Sequence, residues 1–487
     1  MKKIIKNITF LLAILLFVRC SDFLTEKPVS IIGSDSYYQT DVEFVTALNG
    51  VFYPLFSGWG IYDFNAIFLL TGGGEDITSR KTAPEYRQWD NFSATPTGPH
   101  ANTMWNNSYG SINAANMLID LAEKSTNISN ANKASYIAQA KFIRALCYFN
   151  LVRFWGEIPI VTYENAVYAA DLEQSSIADV YSVIVSDFQD AEANLPLTQT
   201  EKGRPTRGAA KAMLAKVYLT MAGWPLKQTD KYALARDKAK EVMDLGIYQL
   251  EPEFGELWLC KNKFTNKEFI FIMTGSGAVS ATASHHHQAQ RPQEESGWTD
   301  VCTEIRFLEA FPEGVRKDYS FWTVFANGTR WEESQEGQPY ISKFRDAGVG
   351  ATREQGAPTQ ANGDGFFPIV RYGDVLLMYA EAANKVEGSP SELAIKCVND
   401  VRTRAGYLPL IEAGISQADF DAAVLAERNW ELAFEGNRWF DLQRREMVEA
   451  ANKDLYPHVS RKDYFFPKPA TEMDIVTNLK DTDATKY

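Results

Sequence analysis

Glu75 and Asp76 stand directly after Gly72-Gly73-Gly74 and form the acidic pair most suggestive of catalysis. Glycoside hydrolysis takes two carboxylates flanking one sugar, one of them with a raised pKa. Adjacent residues on an extended segment point to opposite sides, so these two do not converge on a substrate, and glycines before them read as a turn. His285-His286-His287 has the side chains for a metal but no partner at ligand spacing, which favours a loop facing solvent or lining a ligand over a metal site. No Ser-centred nucleophile elbow, HExxH or P-loop occurs. Cys147, Cys260, Cys302 and Cys397 are far apart without a CxxC pair, neither a disulfide scaffold nor a zinc site. Cys147 and Cys397 fall in apolar helical contexts as core thiols, and a Cys260–Cys302 bridge stays open. The sequence therefore supplies no catalytic residue, no metal site and no cofactor motif.

Binding chemistry is better represented. Flat aromatic rings stack on the apolar faces of pyranose rings, while Asn, Asp and Arg hydrogen-bond hydroxyls at the rim. Of eleven tryptophans, several lie in polar, loop-like settings. Trp59 sits between Gly58 and Gly60, and Trp89 in Tyr86-Arg-Gln-Trp-Asp-Asn91. Trp298 follows Ser296-Gly297, Trp322 follows Ser320-Phe321, and Trp331 stands between Arg330 and Glu332. Taken singly each reads as a packed core aromatic. As a group, at least one or two are expected at the surface.

The amino terminus specifies where such a surface would work. Lys2, Lys3 and Lys6 precede an apolar run from Phe10 to Val18, then Cys20. A basic start and a short apolar core form a secretory signal. The run is too short for a bilayer, which needs about twenty residues. A cysteine at the cleavage point is the mark of a bacterial lipoprotein, whose acylated first residue tethers a soluble domain to a membrane. Arg19 departs from the small residue usual before that cysteine, and a plain secretory signal is the alternative. Removing the four basic residues Lys2, Lys3, Lys6 and Arg19 takes the formal charge from −13 to −17. That balance is a poor footprint for nucleic acid or an anionic membrane face.

The elements that must position these residues are mostly helices. A helical pattern starts at Trp105 and runs through Leu121; Ala138, Phe142, Ala145 and Phe149 share one face of the next helix, which stops at Trp155-Gly-Glu-Ile-Pro159. Further helices are expected over 177–194, 208–221 and 232–245, and small residues (Ala209, Ala212, Ala215; Ala235, Ala239) recur at close-packing spacing. Helix pairs of this kind resemble imperfect tetratricopeptide repeats. From about Phe254 to Phe367 the texture turns loop-rich, with strand-like pieces at 268–273 and 340–344; a loop region this long implies a function. Helices resume over 374–386, with Asp374 as cap, then 393–404 and 420–434. Glu427, Glu431 and Glu435 at four-residue spacing, with Arg428, read as a helix laced with ion pairs, Gly436 as its stop, and Arg438–Asp441 as a further local pair. These are packing features, not an active surface.

Four stretches, in order along the chain, resemble the RagB/SusD family of nutrient-uptake outer-membrane lipoproteins from Bacteroidetes-type bacteria. They are Cys20-Ser-Asp-Phe-Leu-Thr-Glu-Lys-Pro28, then Phe142-Ile-Arg-Ala-Leu-Cys-Tyr-Phe-Asn150 with Phe154-Trp-Gly-Glu-Ile-Pro159, then Arg371-Tyr-Gly-Asp-Val-Leu-Leu-Met-Tyr-Ala-Glu-Ala-Ala-Asn384. The most specific is Glu427-Arg-Asn-Trp-Glu-Leu-Ala-Phe-Glu-Gly-Asn-Arg-Trp-Phe-Asp441. The resemblance implies a mostly α SusD-like fold of imperfect tetratricopeptide-type repeats with a loop-rich insertion containing short strands. It divides the chain into a signal peptide, 1–19, and a SusD-like domain, 20–487, made of an N-terminal repeat part (20–250), a loop-rich middle (251–368) and a C-terminal helical part (369–487).

It also implies a function: a non-enzymatic lipoprotein, lipidated at Cys20 and facing outward from the outer membrane. Such a protein captures oligosaccharide or polysaccharide and hands it to a SusC-like TonB-dependent transporter. A peptide-binding RagB-like protein, a secreted glycan-degrading enzyme and a protein-binding repeat scaffold are the alternatives. Ligand sites in the family lie before the first repeat helices and in the middle insertions, which here means about Arg80–Asn91 and His285–Trp331. The ligand-binding candidates are Arg80, Trp89 and Asn91, then Trp298 and Trp322.

Overall fold

The computed structural model describes residues 38–57, 59–65, 72–82, 84–201, 203–278, 283–346, 348, 363–407 and 409–487. The signal segment 1–19, Cys20 and the stretch to Pro28 lie outside the described residues. Among the described residues the helices of seven residues or more are α1 (Asp41–Phe52), α2 (Pro84–Asp90), α3 (Pro99–Lys124), α4 (Asn130–Trp155), α5 (Ile177–Asn194), α6 (Arg207–Ala222), α7 (Lys231–Asp244), α8 (Tyr372–Glu387), α9 (Glu392–Arg404), α10 (Gln417–Glu431) and α11 (Arg438–Arg444). The strands are short: β1 (Ile77–Ser79), β2 (Phe269–Thr274), β3 (Val301–Thr303), β4 (Phe321–Trp322), β5 (Tyr340–Ile341) and β6 (Phe366–Arg371). The fold is mostly α, as the sequence indicates.

Helix starts are written in side chains that accept the first free N–H groups. Ser129, Ser176, Thr206, Ser391 and Ser416 cap α4, α5, α6, α9 and α10, and Thr40 with Glu43 makes a capping box on α1. Gly156 ends α4 at φ 70°, in the region that favours glycine. Consecutive helices from α3 to α7 pack on one another, and α8 carries the stack onward to α9 and α10. The α4–α5 contact is aromatic, with Phe142 and Phe188 edge-to-face at 5.2 Å. It is also pinned by a two-pronged bond from Arg144 to the buried Asp187, both prongs 2.8 Å. The small faces of α6 and α7 are buried at Ala209, Ala212, Ala215, Ala235 and Ala239.

The carboxyl-terminal motif is wired differently from its local reading. Asp374 does not cap α8; Arg371 occupies that place, and Asp374 lies buried inside the helix between Lys216 (2.8 Å) and Arg428 (2.9 Å). Helix α10 ends at Glu431, before Glu435 and Gly436: Leu432 leaves helical geometry at φ −100°, ψ 16°, and Phe434 then takes a left-handed φ of 66°. The glutamates pair with distant cations. Arg371 reaches Glu268, Glu431 and Glu435 at 2.6–2.8 Å, Arg316 bridges Glu427 and Glu431, and Lys343 meets Glu435 at 2.9 Å. Burial alone would raise the Glu431 carboxyl, but Arg404, Arg371 and Arg316 hold it well below the ordinary range. Burial pushes the Lys343 ammonium down to about 8. Arg438 bonds Glu75 at 2.8 Å, while Asp441 takes Arg428 and Arg444. Such a network costs much desolvation and survives because each buried anion meets several donors. Cys260 and Cys302 are both free thiols, and all four described cysteines are buried.

Candidate functional site

Strand pairing joins the two loop regions that carry the candidate residues. β1 and β3 are antiparallel with Ile77 opposite Thr303, and past their ends the Arg80 N–H donates to the Asp300 carbonyl at 3.3 Å. The Arg80 guanidinium lies 3.5 Å from the Asp300 carboxylate and 5.8 Å from the Tyr86 ring centroid. Burial raises the Asp300 carboxyl to about 7 against the pull of Arg80.

Beside this pair lies a platform of near-parallel rings. Trp59 and Trp298 are 6.3 Å apart with planes 5° apart; His285 sits 5.4 Å from Trp59 and 5.7 Å from Trp298, tilted by only 15° and 19°. At these separations parallel rings are offset, leaving parts of their faces uncovered. Trp59 is 56% exposed, the most open tryptophan of the described residues, and Trp298 is half-buried. Phe64 supports both indoles edge-on, at 4.8 and 5.7 Å, and in turn meets Tyr86 and His100.

Each ring is held by backbone that the local sequence requires. The Trp59 turn needs Gly60, where a Cβ would come within 2.8 Å of the Leu55 backbone. Asn65 donates to the Trp59 carbonyl at 2.6 Å, which leaves its own oxygen for the His100 Nδ1–H at 2.8 Å. Burial lowers the His100 imidazole to about 4, so it is neutral at pH 7. Asp63, wholly buried, accepts from Ser284 Oγ (3.0 Å) and the His285 N–H (2.8 Å), and its second oxygen lies 3.1 Å from His285 Nδ1. Trp298 projects from a tight turn in which Ser296 and Thr299 hold positive φ, 64° and 56°. For a β-branched threonine that is strain, of the kind held at functional sites. At Gly297 a Cβ would lie 2.1 Å from the Arg291 carbonyl oxygen.

Among the ligand-binding candidates, the structure brings Arg80 and Trp298 to this face and places Trp89, Trp322 and Asn91, like the further loop tryptophan Trp331, elsewhere. Trp89 is 1% exposed in α2, edge-on to Phe466 at 5.1 Å, and offers no face to a ligand. Trp322 is 2% exposed beneath the Arg345 guanidinium, 3.3 Å from its centroid, in a small cluster with Cys302, Phe325 and Tyr340. Trp331 packs half-buried against that cluster. Asn91 turns its side chain onto Ser93 and its carbonyl to His458, the bonds of a turn. Asp63 and Phe64 carried no sequence signal, since nothing local marks a buried carboxylate that orders a loop more than two hundred residues away.

The suspected acidic pair is structural. Glu75 bonds Arg438 and Asn429, and Asp76 lies buried against the Phe434 amide, its carboxyl raised to about 7 by burial and by Glu75. Neither faces an open cleft with the other. Among the described residues no cluster of three or more His, Cys, Asp or Glu side chains is placed to hold a metal ion. No described helix is long and apolar enough to cross a membrane.

Residues 313–485 match the SusD family, and residues 72–219 match a family described as starch-binding and associating with the outer membrane. The SusD-like protein P2 of Formosa agariphila is 29% identical over 97% of this chain and 98% of its own. A SusD homologue of Bacteroides thetaiotaomicron superposes with a TM-score of 0.79 at 23% identity, over 92% of this chain and 97% of that one. A laminarin-binding SusD-like protein does so with a TM-score of 0.75 at 23% identity, over 91% and 99%.

Proposed function

The chain is a member of the SusD-like family, and on that premise we propose that it captures oligosaccharide or polysaccharide at the outer-membrane surface and delivers it to a SusC-like TonB-dependent transporter. The observation that carries the reading is the offset, near-parallel platform of Trp59, His285 and Trp298, with Trp59 56% exposed. Rings in this arrangement stack on sugar faces without enclosing them, which suits a long chain passing over a shallow surface. Arg80, held between Asp300 and Tyr86, supplies hydrogen-bond donors at the rim. The laminarin-binding relative and the starch-binding family description support a glycan as the ligand.

In this reading residues 1–19 are removed, Cys20 carries the lipid, and the domain works outside the cell. Capture and hand-over make and break no bond, so no cofactor is required. The acidic balance of the processed chain, formally −17 once Lys2, Lys3, Lys6 and Arg19 are gone, favours neutral over strongly anionic glycans.

The test is retention on a panel of immobilised glycans, with peptides as controls, using the lipid-free chain from Ser21. One glycan class should be retained and recovered uncleaved, and Trp59→Ala should weaken it. Retention of peptides alone, or release of cleaved sugar, would overturn the proposal.

A further inference from the structure

A second concave surface shares no residue with the aromatic platform. Two adjoining cavities, of about 460 and 410 Å³, lie on either side of Arg204, and both are bounded by Glu201, Gly203, Arg204 and Ile272. The loop carrying Arg204 crosses the end of β2; a Cβ at Gly203 would rest 3.7 Å from Thr274 Cγ2. Arg204 is fixed there by Glu201 at 2.9 Å, by Asn49 and by the Phe52 ring at 4.9 Å.

The floor of the groove is the edge of a strand. Alternate residues of a strand point to opposite faces, so a cavity over one face is lined by every second residue. Here consecutive residues line it, Phe269 to Ile272 in one lobe and Ile272 to Thr274 in the other. Among the described residues β2 has one backbone partner strand, β6, and makes no backbone–backbone bond on its other edge. Along this six-residue strand, about 20 Å long, alternate residues turn their N–H and C=O away from β6 at the bottom of the groove, where Ile270 to Met273 are 3–7% exposed, and an extended backbone satisfies them. The charged lining is Lys267, Lys263, whose ammonium donates to the Gly275 and Asp364 carbonyls, and Arg204, paired with Glu201, which leaves a net positive groove on an acidic chain. Tyr53, 51% exposed, and Phe264, 36% exposed, flank the two ends.

We propose that this groove takes an extended acidic peptide segment of another polypeptide, which adds as a strand to the open edge of β2. Backbone bonding supplies the affinity and Lys267, with Arg204, the preference for carboxylates. A sugar chain offers no ladder of amides to match the edge.

The test uses the lipid-free chain from Ser21 and an end-blocked octapeptide alternating Glu and Val. Binding is followed by fluorescence anisotropy, and hydrogen exchange is read at the Phe269–Thr274 amides. The peptide should bind and slow exchange there. Alternate N-methylation of its backbone should abolish both effects, and a Lys–Val octapeptide should not bind. Lys267→Glu, at an exposed position that leaves folding intact, should weaken binding about threefold to tenfold. The proposal fails if all of those amides, and not only the ones bonded to β6, exchange slowly in the free chain, because the outer edge is then already paired. It fails equally if the peptide gives no added protection, or if only an oligogalacturonate binds.

Discussion

Trp59 and Trp298 lie 6.3 Å apart with ring planes within 5°, though one belongs to the turn after α1 and the other to the turn before β3. Neither could hold that orientation alone. Phe64 meets both edge-on, and Asp63 beside it ties down the Ser284–His285 backbone that places the third ring. One short segment, Asp63–Asn65, therefore organises the whole face.

Trp59→Ala and Trp89→Ala should separate binding from folding. The first removes a ring that is 56% exposed. We expect glycan retention to fall roughly threefold to tenfold, since one aromatic contact is worth about 0.5–1.5 kcal/mol, with the unfolding midpoint unchanged. The second empties a core site and should cost about 3–5 kcal/mol in urea unfolding, while the molecules still folded bind normally.

The contrast between these tryptophans shows what was legible in the sequence. Helices α3 to α7 were readable because their apolar residues recur at helical spacing, and α4, α5 and α6 also start at local side-chain caps. Trp89 misled because its polar neighbours are themselves turned inward: Gln88 donates to the Glu85 carbonyl, and Asp90 accepts from Thr78 at 2.7 Å. Polar flanks indicate a surface only if they stay solvated. The wiring of Glu427, Glu431 and Glu435 was equally out of reach, because spacing within a helix says nothing of Arg316, Arg371 or Lys343 arriving from elsewhere.

Asp63→Asn should loosen the platform without touching a ligand. The amide keeps one acceptor but loses the charge that receives the Ser284 hydroxyl and the His285 N–H. Buried charged hydrogen bonds are worth about 1.5–3 kcal/mol. Unfolding free energy should drop by about that amount, and hydrogen exchange should rise over 283–289 in the folded protein. Unchanged exchange there would show that Asp63 does not order the loop.

Gly297→Ala tests the turn under Trp298. Its Cβ would meet the Arg291 carbonyl oxygen at 2.1 Å, so the backbone must shift and carry the indole with it. Glycan retention should fall as far as in Trp298→Ala, with tryptophan fluorescence altered. Retention equal to the parent protein would mean that the exact pose of Trp298 does not matter.

Arg371→Met addresses the most recognisable motif. It leaves Glu268, Glu431 and Glu435 buried with fewer donors, a loss that costs about 3–5 kcal/mol when one partner is removed. Chemical denaturation should show that loss, while glycan affinity per folded molecule stays at the parent value. A selective loss of affinity with stability intact would instead make the motif part of the binding surface.

Stability should peak on the acid side of neutrality, because two sets of buried carboxyls pull in opposite directions. Burial raises Asp76, Asp300 and Glu304 to about 7 and Asp90 to about 6. Folded molecules then bind more protons than unfolded ones between about pH 4 and 7, so stability falls as pH rises through that window. For Asp374 burial opposes ionisation, but Lys216 and Arg428 bring its carboxyl down to about 2, and Arg444 holds Glu381 low in the same way. Here the unfolded state binds more protons below about pH 4, and stability is lost as pH falls toward 2. The melting temperature should therefore be highest near pH 4–5 and decline on both sides. Asp300→Asn, which cannot ionise, should flatten the decline between pH 5 and 7. A melting temperature that climbs steadily from pH 4 to 7 would show that these raised carboxyls do not govern the fold's response to acid.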